Sequence, residues 1–170
     1  MFDQYNQSLQ SASIVTQFAG ALSGGDKEAG KEIFFTNGAA QCVRCHTING
    51  KGSNVGPDLS NIGQHNNERY LLEAMIDPGA TIAPGFGTFN LTLNNGKVES
   101  GLFYKETANS ITLGEEGKNL ITYKKADIKQ IQRPASGMPP MNYLLNKKQL
   151  RDLTAYLATL KNNKKLFKGH

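Results

Sequence analysis

A short segment in the first third of the chain carries most of its reactive side chains. Residues 39–60 read AAQCVRCHTINGKGSNVGPDLS and contain both cysteines, Cys42 and Cys45, with His46 directly after the second. Two thiols three residues apart followed by an imidazole suit three kinds of site. These are a zinc knuckle, a thioredoxin-like redox pair and the attachment site of a c-type haem.

Haem attachment is the only one of the three that uses every residue of this motif. The two thiols add to the vinyl groups of the porphyrin, and His46 then binds the iron from the proximal side. A structural zinc ion needs four nitrogen or sulfur ligands, and beyond the motif only His65 and His170 remain. A redox Cys-x-x-Cys opens a helix after a strand in an alternating β/α pattern, which the flanking sequence does not show. Both alternatives remain open with less support.

The elements around the motif predict two helices that cross closely. Asp26 is a natural N-cap, and Gly30 and Phe34 fall one turn apart on the helix that follows. A glycine inside a helix costs about 1 kcal/mol relative to alanine, so Gly30 indicates that another backbone comes close. The predicted partner is the last helix, within residues 146–162, whose apolar stripe is Leu150, Leu153, Tyr156, Leu157 and Leu160.

The loop after the motif is predicted to support the haem. Glycines and Pro57 break regular structure in GSNVGPDLSNIG, while Val55 and Leu59 can lie against an apolar ring edge. A proximal histidine usually donates its second ring N–H to a carbonyl. The carbonyl of Pro57 is the predicted acceptor for His46.

A methionine loop supplies the predicted sixth ligand. Met138 precedes two prolines that keep the chain extended, and a thioether is a common axial ligand of cytochromes. Met141, His65 or an open coordination position are the alternatives. Met75 is predicted to be a core residue of a helix that ends at Asp77.

The region between the middle helix and the methionine loop changes from helical to alternating periodicity. Turn signals at 94–96 and 115–117 separate runs that favour strands. A sheet this short hides its apolar face by curling into a small barrel or by packing beside the haem domain. The predicted strands lie near 86–93, 97–104, 109–114, 119–123 and 128–132.

Taken in order, these motifs resemble the class I cytochrome c family. The matching segments are GDKEAGKEIFF, CVRCH, VGPDLSNIG, MPPM and LRDLTAYLATLK, within residues 26–161. Within that family they resemble haem-binding domains of bacterial proteins of the Planctomycetes and Verrucomicrobia type. The resemblance implies a mainly α cytochrome c fold of class I, with a small antiparallel β insert between the middle helix and the methionine loop.

The corresponding domain organisation has five parts. They are an N-terminal helical extension (1–25), the first part of the cytochrome domain (26–84), the β insert (85–133), the methionine loop with the C-terminal helix (134–163) and a basic tail (164–170).

The resemblance implies one covalently attached haem c, with iron held by His46 and Met138. The haem-binding residues would be Cys42, Cys45, His46, Pro57, Leu59 and Met138. Iron with two protein ligands has no free position for a substrate, so the expected function is one-electron transfer and not enzymatic catalysis. The alternatives are a haem-based ligand sensor or peroxidase-like enzyme with a displaceable sixth ligand, and a binding module built on the β insert.

Redox proteins are the expected partners, among them a fused or associated dehydrogenase. In the resembling group the domain often ends a longer chain whose earlier part resembles a sugar-dehydrogenase β-propeller. Covalent haem attachment takes place outside the cytoplasmic membrane, so a periplasmic or other extracytoplasmic bacterial location is expected. The start of the chain lacks the basic and apolar regions of a secretion signal, so the signal has been removed or the chain is an excised domain.

Composition excludes two other classes of partner. Hydrophobic residues make up 38% of the 170 residues, mean hydropathy is −0.44, and no run approaches the roughly 18 apolar residues of a membrane span. The net charge of +5 arises largely from a lysine-rich C-terminus. The sequence contains neither a phosphate-binding glycine loop nor aromatic residues that alternate with basic ones, so neither feature supports nucleic-acid binding.

The first 22 residues are predicted to form a helix. Apolar residues recur there at helical spacing, and two glycines at 24 and 25 end the run. The helix is expected to pack on this domain or on a segment upstream of it.

Overall fold

The computed structural model describes residues 14–115 and 118–161, which divide into two compact units. The helical unit comprises the described parts of 1–80 and 140–170, and the sheet unit comprises those of 81–139. The segment predicted as a β insert, 85–133, falls inside the sheet unit. Met138 belongs to the sheet unit and Met141 to the helical unit.

Three α-helices form the frame of the helical unit: α1 (Lys27–Thr36), α2 (Glu68–Ile76) and α3 (Lys147–Thr159). Each begins at a polar side chain that accepts backbone N–H groups of the first turn, which would otherwise have no partner. Asp26 caps α1, and Asn67 caps α2. Asn146 caps α3 in a reciprocal capping box with Gln149.

The crossing of α1 and α3 confirms the close approach predicted from Gly30. A Cβ atom on Gly30 would lie 2.0 Å from the carbonyl oxygen of Asp152 and 2.8 Å from Cβ of Tyr156. Phe34 is buried one turn later, with its ring centroid 6.3 Å from that of Tyr156. The Asp152 side chain also accepts the Asp26 N–H at 3.0 Å, which joins the start of α1 to α3.

The described end of the N-terminal extension packs on this frame. Residues 14–17 are helical and a 3₁₀ turn follows at Ala19–Ala21, with Val15 and Ala21 buried. Gly24 has φ +72°, a conformation that ends a helix without strain in glycine. The rest of the predicted N-terminal helix, residues 2–13, and the basic tail lie outside the described residues.

In the part of the chain that the structure describes, seven strands form two antiparallel sheets. A short hairpin in the helical unit pairs β1 (Thr47–Ile48) with β2 (Lys51–Gly52). The sheet unit contains a five-stranded sheet in the order β6-β5-β4-β3-β7. Its strands are β3 (Thr88–Leu93), β4 (Val98–Glu106), β5 (Ser110–Leu113), β6 (Ile121–Lys124) and β7 (Ile128–Gln132).

All five predicted strands are present, each with ends within two residues of the predicted ones. The turn after β3 contains Gly96 at φ +84°, as its Asn-Asn-Gly signal predicts. Among the described residues the outer strands β6 and β7 pair with other strands but not with each other. The sheet is therefore open, and the predicted alternative of a closed barrel is not formed by strand pairing.

Side chains form the core of the sheet unit. Its fully buried cluster consists of Phe89, Leu91, Ile111 and Leu113. At the edge of this core, Glu106 accepts two hydrogen bonds from Arg133 at 2.8 and 2.9 Å and pairs with Lys125 at 2.7 Å. The guanidinium of Arg133 also lies 5.3 Å from the centroid of the Phe89 ring. These contacts tie β4 to the segments on both sides of β7.

None of the described helices is both long enough and apolar enough to span a membrane.

Candidate haem site

The two cysteines lie on a single tight turn. A 3₁₀ turn covers Cys42–Arg44, and the Cys42 carbonyl accepts the N–H groups of Cys45 at 3.1 Å and His46 at 2.9 Å. Gln41 enters this turn with φ 47°, a left-handed conformation that is uncommon outside glycine. Its side chain bonds forward to Arg44 and back to the preceding loop, which holds the conformation.

Both thiols are free, and their surroundings do not favour thiolate chemistry. Cys42 is half-buried and Cys45 is exposed. Burial, with a smaller contribution from the neighbouring Cys45 and against an opposing backbone hydrogen bond, raises the pKa of the Cys42 thiol to about 11. A redox-active Cys-x-x-Cys lowers the pKa of its nucleophilic thiol instead. The environment of Cys42 therefore gives the redox alternative no support.

His46 makes the hydrogen bond expected from the sequence. Its Nδ1 lies 2.9 Å from the carbonyl oxygen of Pro57. A carbonyl oxygen can only accept, so Nδ1 carries the hydrogen. In a neutral imidazole Nε2 then keeps its lone pair. This is the tautomer that a metal-binding histidine requires, with the non-ligating nitrogen held by a carbonyl.

Backbone hydrogen bonds join the following loop to the motif. Gly56 donates to the Cys45 carbonyl at 2.6 Å, and Ser53 donates to that of His46 at 3.3 Å. Leu59 donates to the Thr47 carbonyl at 2.9 Å, and its side chain is half-buried. Val55, at the tip of the loop, is 71% exposed. The loop therefore presents apolar side chains from a backbone fixed to the segment that carries His46.

The β1–β2 hairpin was not predicted from the sequence, although its turn signal is present. Asn49 and Gly50 form the turn with φ 51° and 76°, which is the Asn-Gly pair typical of a type I′ hairpin. Asn49 N–H donates to the Ser60 hydroxyl at 2.7 Å. This hairpin begins one residue after His46 and fixes the path of the chain into the supporting loop.

Three of the four methionines lie in the described residues. Met75 is 4% exposed in α2, which confirms the prediction that it is a core residue, and Met141 is 3% exposed after the two prolines. Met138 is half-buried in the sheet unit, and its N–H donates to the Ser136 hydroxyl at 3.1 Å. His65 is exposed in the loop before α2.

The donor set fits a covalently bound haem. One turn offers two free thiols three residues apart, and the next residue offers an imidazole whose Nε2 lone pair is available. Within residues 14–115 and 118–161, no group of three or more His, Cys, Asp or Glu side chains is arranged to hold a metal ion. The zinc alternative thus gains no candidate site there.

A model of a known protein family matches the part of the chain that contains the cysteine motif. Residues 27–102 match the family model described as "Cytochrome c". This region is similar to cytochrome c domains and makes up less than half of the chain. It begins at α1, includes the cysteine motif with Pro57 and Leu59, and ends in β4. Met138 lies beyond it.

Comparisons with solved structures and with curated proteins assign no function to the chain. A solved structure titled "Crystal structure of SoxXA from P. pantotrophus" is 23% identical to this chain, over 82% of this chain and 84% of that one. Its TM-score is 0.43, a likeness too weak to assign an activity or a partner. No curated protein was found to match the chain.

The family match supports several predictions in a general form. A cytochrome c domain implies a covalently bound haem c with iron and a role in haem-based electron transfer. Such domains usually work with redox partners and are typically extracytoplasmic in bacteria. The Planctomycetes-type resemblance, the class I arrangement and Met138 as sixth ligand stay predictions.

Proposed function

We propose that the chain is a single-haem c-type cytochrome that transfers one electron at a time through iron held by His46 and Met138. The observation that carries this proposal is the 2.9 Å contact between His46 Nδ1 and the Pro57 carbonyl, directly after the two cysteines. It leaves Nε2 as the ring nitrogen available to a metal. The haem supplies the one-electron Fe(III)/Fe(II) couple, and the protein supplies its position and ligands.

Each residue of the motif has a distinct role in this proposal. Cys42 and Cys45 would tether the haem through thioethers, which would use both thiols. Pro57 fixes the tautomer and orientation of the imidazole and makes it a stronger ligand. Leu59, half-buried on the same loop, would keep water away from the edge of the haem. With both thiols used in thioethers and two protein ligands on the iron, no position would remain for a substrate, so the proposed site favours a carrier over a catalyst.

Met138 is the proposed sixth ligand. Among the described methionines, Met75 and Met141 are almost completely buried in the helical unit, whereas Met138 is half-buried. Pro139 and Pro140 restrict the backbone after Met138 and keep the loop out of a helix. With a thioether and an imidazole as its protein ligands, the iron would be low-spin, with a raised reduction potential and no free position for a small ligand.

A dehydrogenase is the proposed electron donor, fused to the chain or associated with it, in an extracytoplasmic compartment of a bacterium. The support is the resemblance to haem-binding domains that end longer chains. A linker would hold donor and acceptor at high effective concentration. The coding sequence around this chain tests the fused arrangement, since an open reading frame without a propeller-like segment upstream would remove its basis.

The haem assignment is tested by expression with a c-type maturation system. The denatured chain should retain the haem in acid-acetone and show the mass of one haem added to the polypeptide. Cys42→Ala/Cys45→Ala should release it. A haem that extracts freely from the unmodified chain would overturn the covalent assignment.

The sixth ligand is tested on the same protein with two matched methionine variants. Met138→Ala should become high-spin, bind carbon monoxide or azide and show a lower midpoint potential, because the thioether that stabilises ferrous iron is lost. Met141→Ala should keep its low-spin spectrum and lose only stability. The reverse pattern would make Met141 the ligand. Rapid ligand binding by the unmodified protein would favour the sensor alternative.

A further inference from the structure

Gly56 lies against the ring of His46. A Cβ atom built on Gly56 would be 2.8 Å from Cε1 and 3.0 Å from Nδ1 of the imidazole. Real Cβ atoms essentially never approach that closely, so any side chain at this position must displace the ring or the loop. The contact involves the same edge of the ring that bonds to the Pro57 carbonyl.

The backbone conformation does not explain why glycine stands at this position. Gly56 is absent from the glycines with positive φ, whereas Gly50 and Gly52 of the neighbouring hairpin both adopt it. An alanine at 56 would therefore be free of the strain that L residues meet in the left-handed region. What excludes a side chain there is mainly the imidazole, with the Cys45 carbonyl oxygen at 3.3 Å from the same Cβ position.

The loop has little freedom to move away from the ring. The N–H of Gly56 is bonded to the Cys45 carbonyl at 2.6 Å, and Leu59 bonds to the Thr47 carbonyl three residues later. Both acceptors belong to the segment that carries His46. A displaced loop would break these bonds, so a Cβ at 56 would act mainly on the imidazole and on its 2.9 Å hydrogen bond.

We propose that Gly56 is a positioning residue that sets the plane of the His46 imidazole. The backbone of Gly56 and the Pro57 carbonyl act together at one ring edge, and they fix the direction of Nε2, the nitrogen that would bind iron. This inference rests on the proposed function. It adds that the orientation of the imidazole, and with it the electronic state of the iron, depends on the absence of a side chain at position 56.

The first test is made on the unmodified haem-loaded protein. NMR of the ferrous state should show a strong nuclear Overhauser effect between Gly56 Hα and His46 Hε1, since the hydrogen that takes the place of a Cβ points at Cε1. Absence of this effect in a protein with an otherwise assigned His46 ring would overturn the proposal without any variant.

The second test compares Gly56→Ala with Gly38→Ala, a matched control. Gly38 also lacks a positive φ, and a Cβ there would meet nothing within 4 Å. Gly56→Ala should keep its covalent haem but change the ferric EPR g values. Its midpoint potential should rise, because a weakened Nδ1–H bond makes His46 a poorer donor to ferric iron. Gly38→Ala should change neither.

The outcomes separate this inference from the function on which it rests. Normal haem attachment with unchanged g values and potential in Gly56→Ala would overturn the role of Gly56 alone. A wild-type chain without covalent haem would overturn both. A lower stability of Gly56→Ala with an unaltered EPR spectrum and potential would mean a structural role only, and would also reject the proposal.

Discussion

Different kinds of contact stabilise the interior of the helical unit and the interior of the sheet unit. In the helical unit, α3 is approached by three glycines: a Cβ on Gly25, Gly30 or Gly63 would lie within 2.5 Å of a backbone carbonyl oxygen of α3. In the sheet unit the buried cluster is made of large side chains, with the rings of Phe89 and Phe103 stacked at 4.9 Å.

This difference predicts different tolerance to substitution. Where backbones touch, even one added carbon has no space, and the helices must separate. Where side chains fill the core, a smaller residue leaves a cavity whose cost depends on how far its neighbours relax. The glycines that face α3 should thus be sensitive to added volume, and the buried cluster of the sheet unit to removed volume.

The largest effect is expected from Gly30→Ala. The new Cβ would meet the Asp152 carbonyl at 2.0 Å, and since that atom is backbone, α1 and α3 must move apart. A loss of about 4 kcal/mol or more is expected in chemical denaturation, in the range reserved for severe core defects. Gly38→Ala is the control and should stay within about 0.5 kcal/mol of the wild type. Equal stability of the two variants would contradict the backbone contact.

Leu91→Ala tests the side-chain core of the sheet unit. Leu91 is fully buried, so its truncation removes apolar contact and leaves a cavity that should cost about 3 kcal/mol. Hydrogen exchange of the β3 and β4 amides measures the loss locally. Val98→Ala, on an exposed side chain of β4, should change little. Similar loss of protection in both variants would mean that Leu91 is not part of a packed core.

Asp152→Asn should cost about 2 kcal/mol, because the buried carboxylate accepts charge-assisted hydrogen bonds. Burial alone would raise the pKa of Asp152. The ammonium of Lys148 at 2.6 Å and the N–H of Asp26 outweigh it and hold that pKa below its usual value. The unfolded chain therefore takes up the proton at a higher pH than the folded protein does.

The stability from Asp152 is complete above about pH 4 and is lost as pH falls through the lowered pKa of the folded protein. Free energies of unfolding measured across the acidic range up to neutral pH should fall less steeply toward acid in Asp152→Asn than in the wild type. Parallel pH profiles would show that the carboxylate is not charged and bonded in the folded state.

The smallest effect on the helical unit is expected from replacing residues 85–133 with a short linker. Ile82 and Pro134 both lie beside Gly87, at 3.2 and 2.6 Å from its Cβ position, so the two ends of this segment are close. Closing a short loop there should cost roughly 1 kcal/mol or less. The low-spin haem spectrum should persist. Its loss would show that the proposed insert is needed to build the haem pocket.

Local patterns were sufficient wherever one short-range rule decided the structure. Alternating apolar residues and turn signals placed five strands to within two residues, because side-chain period and turn chemistry are local properties. The cysteine motif and Pro57 were also identified from local sequence, because the residue types alone show which groups can bind a haem or accept a hydrogen bond. The β1–β2 hairpin was missed because its strands have only two residues each and give no periodic signal.

By itself the sequence determined the chemistry of the proposed site and the order of the elements. It named the two thiols and the imidazole, indicated the carbonyl of Pro57 and predicted from Gly30 that a second backbone comes close. Only the tertiary structure decided that the cost of a side chain at Gly56 comes from the His46 ring and not from backbone conformation. It also decided that β6 and β7, among the described strands, leave the sheet open. Both results depend on distances between groups that are not neighbours in the sequence. No local sequence pattern encodes those distances.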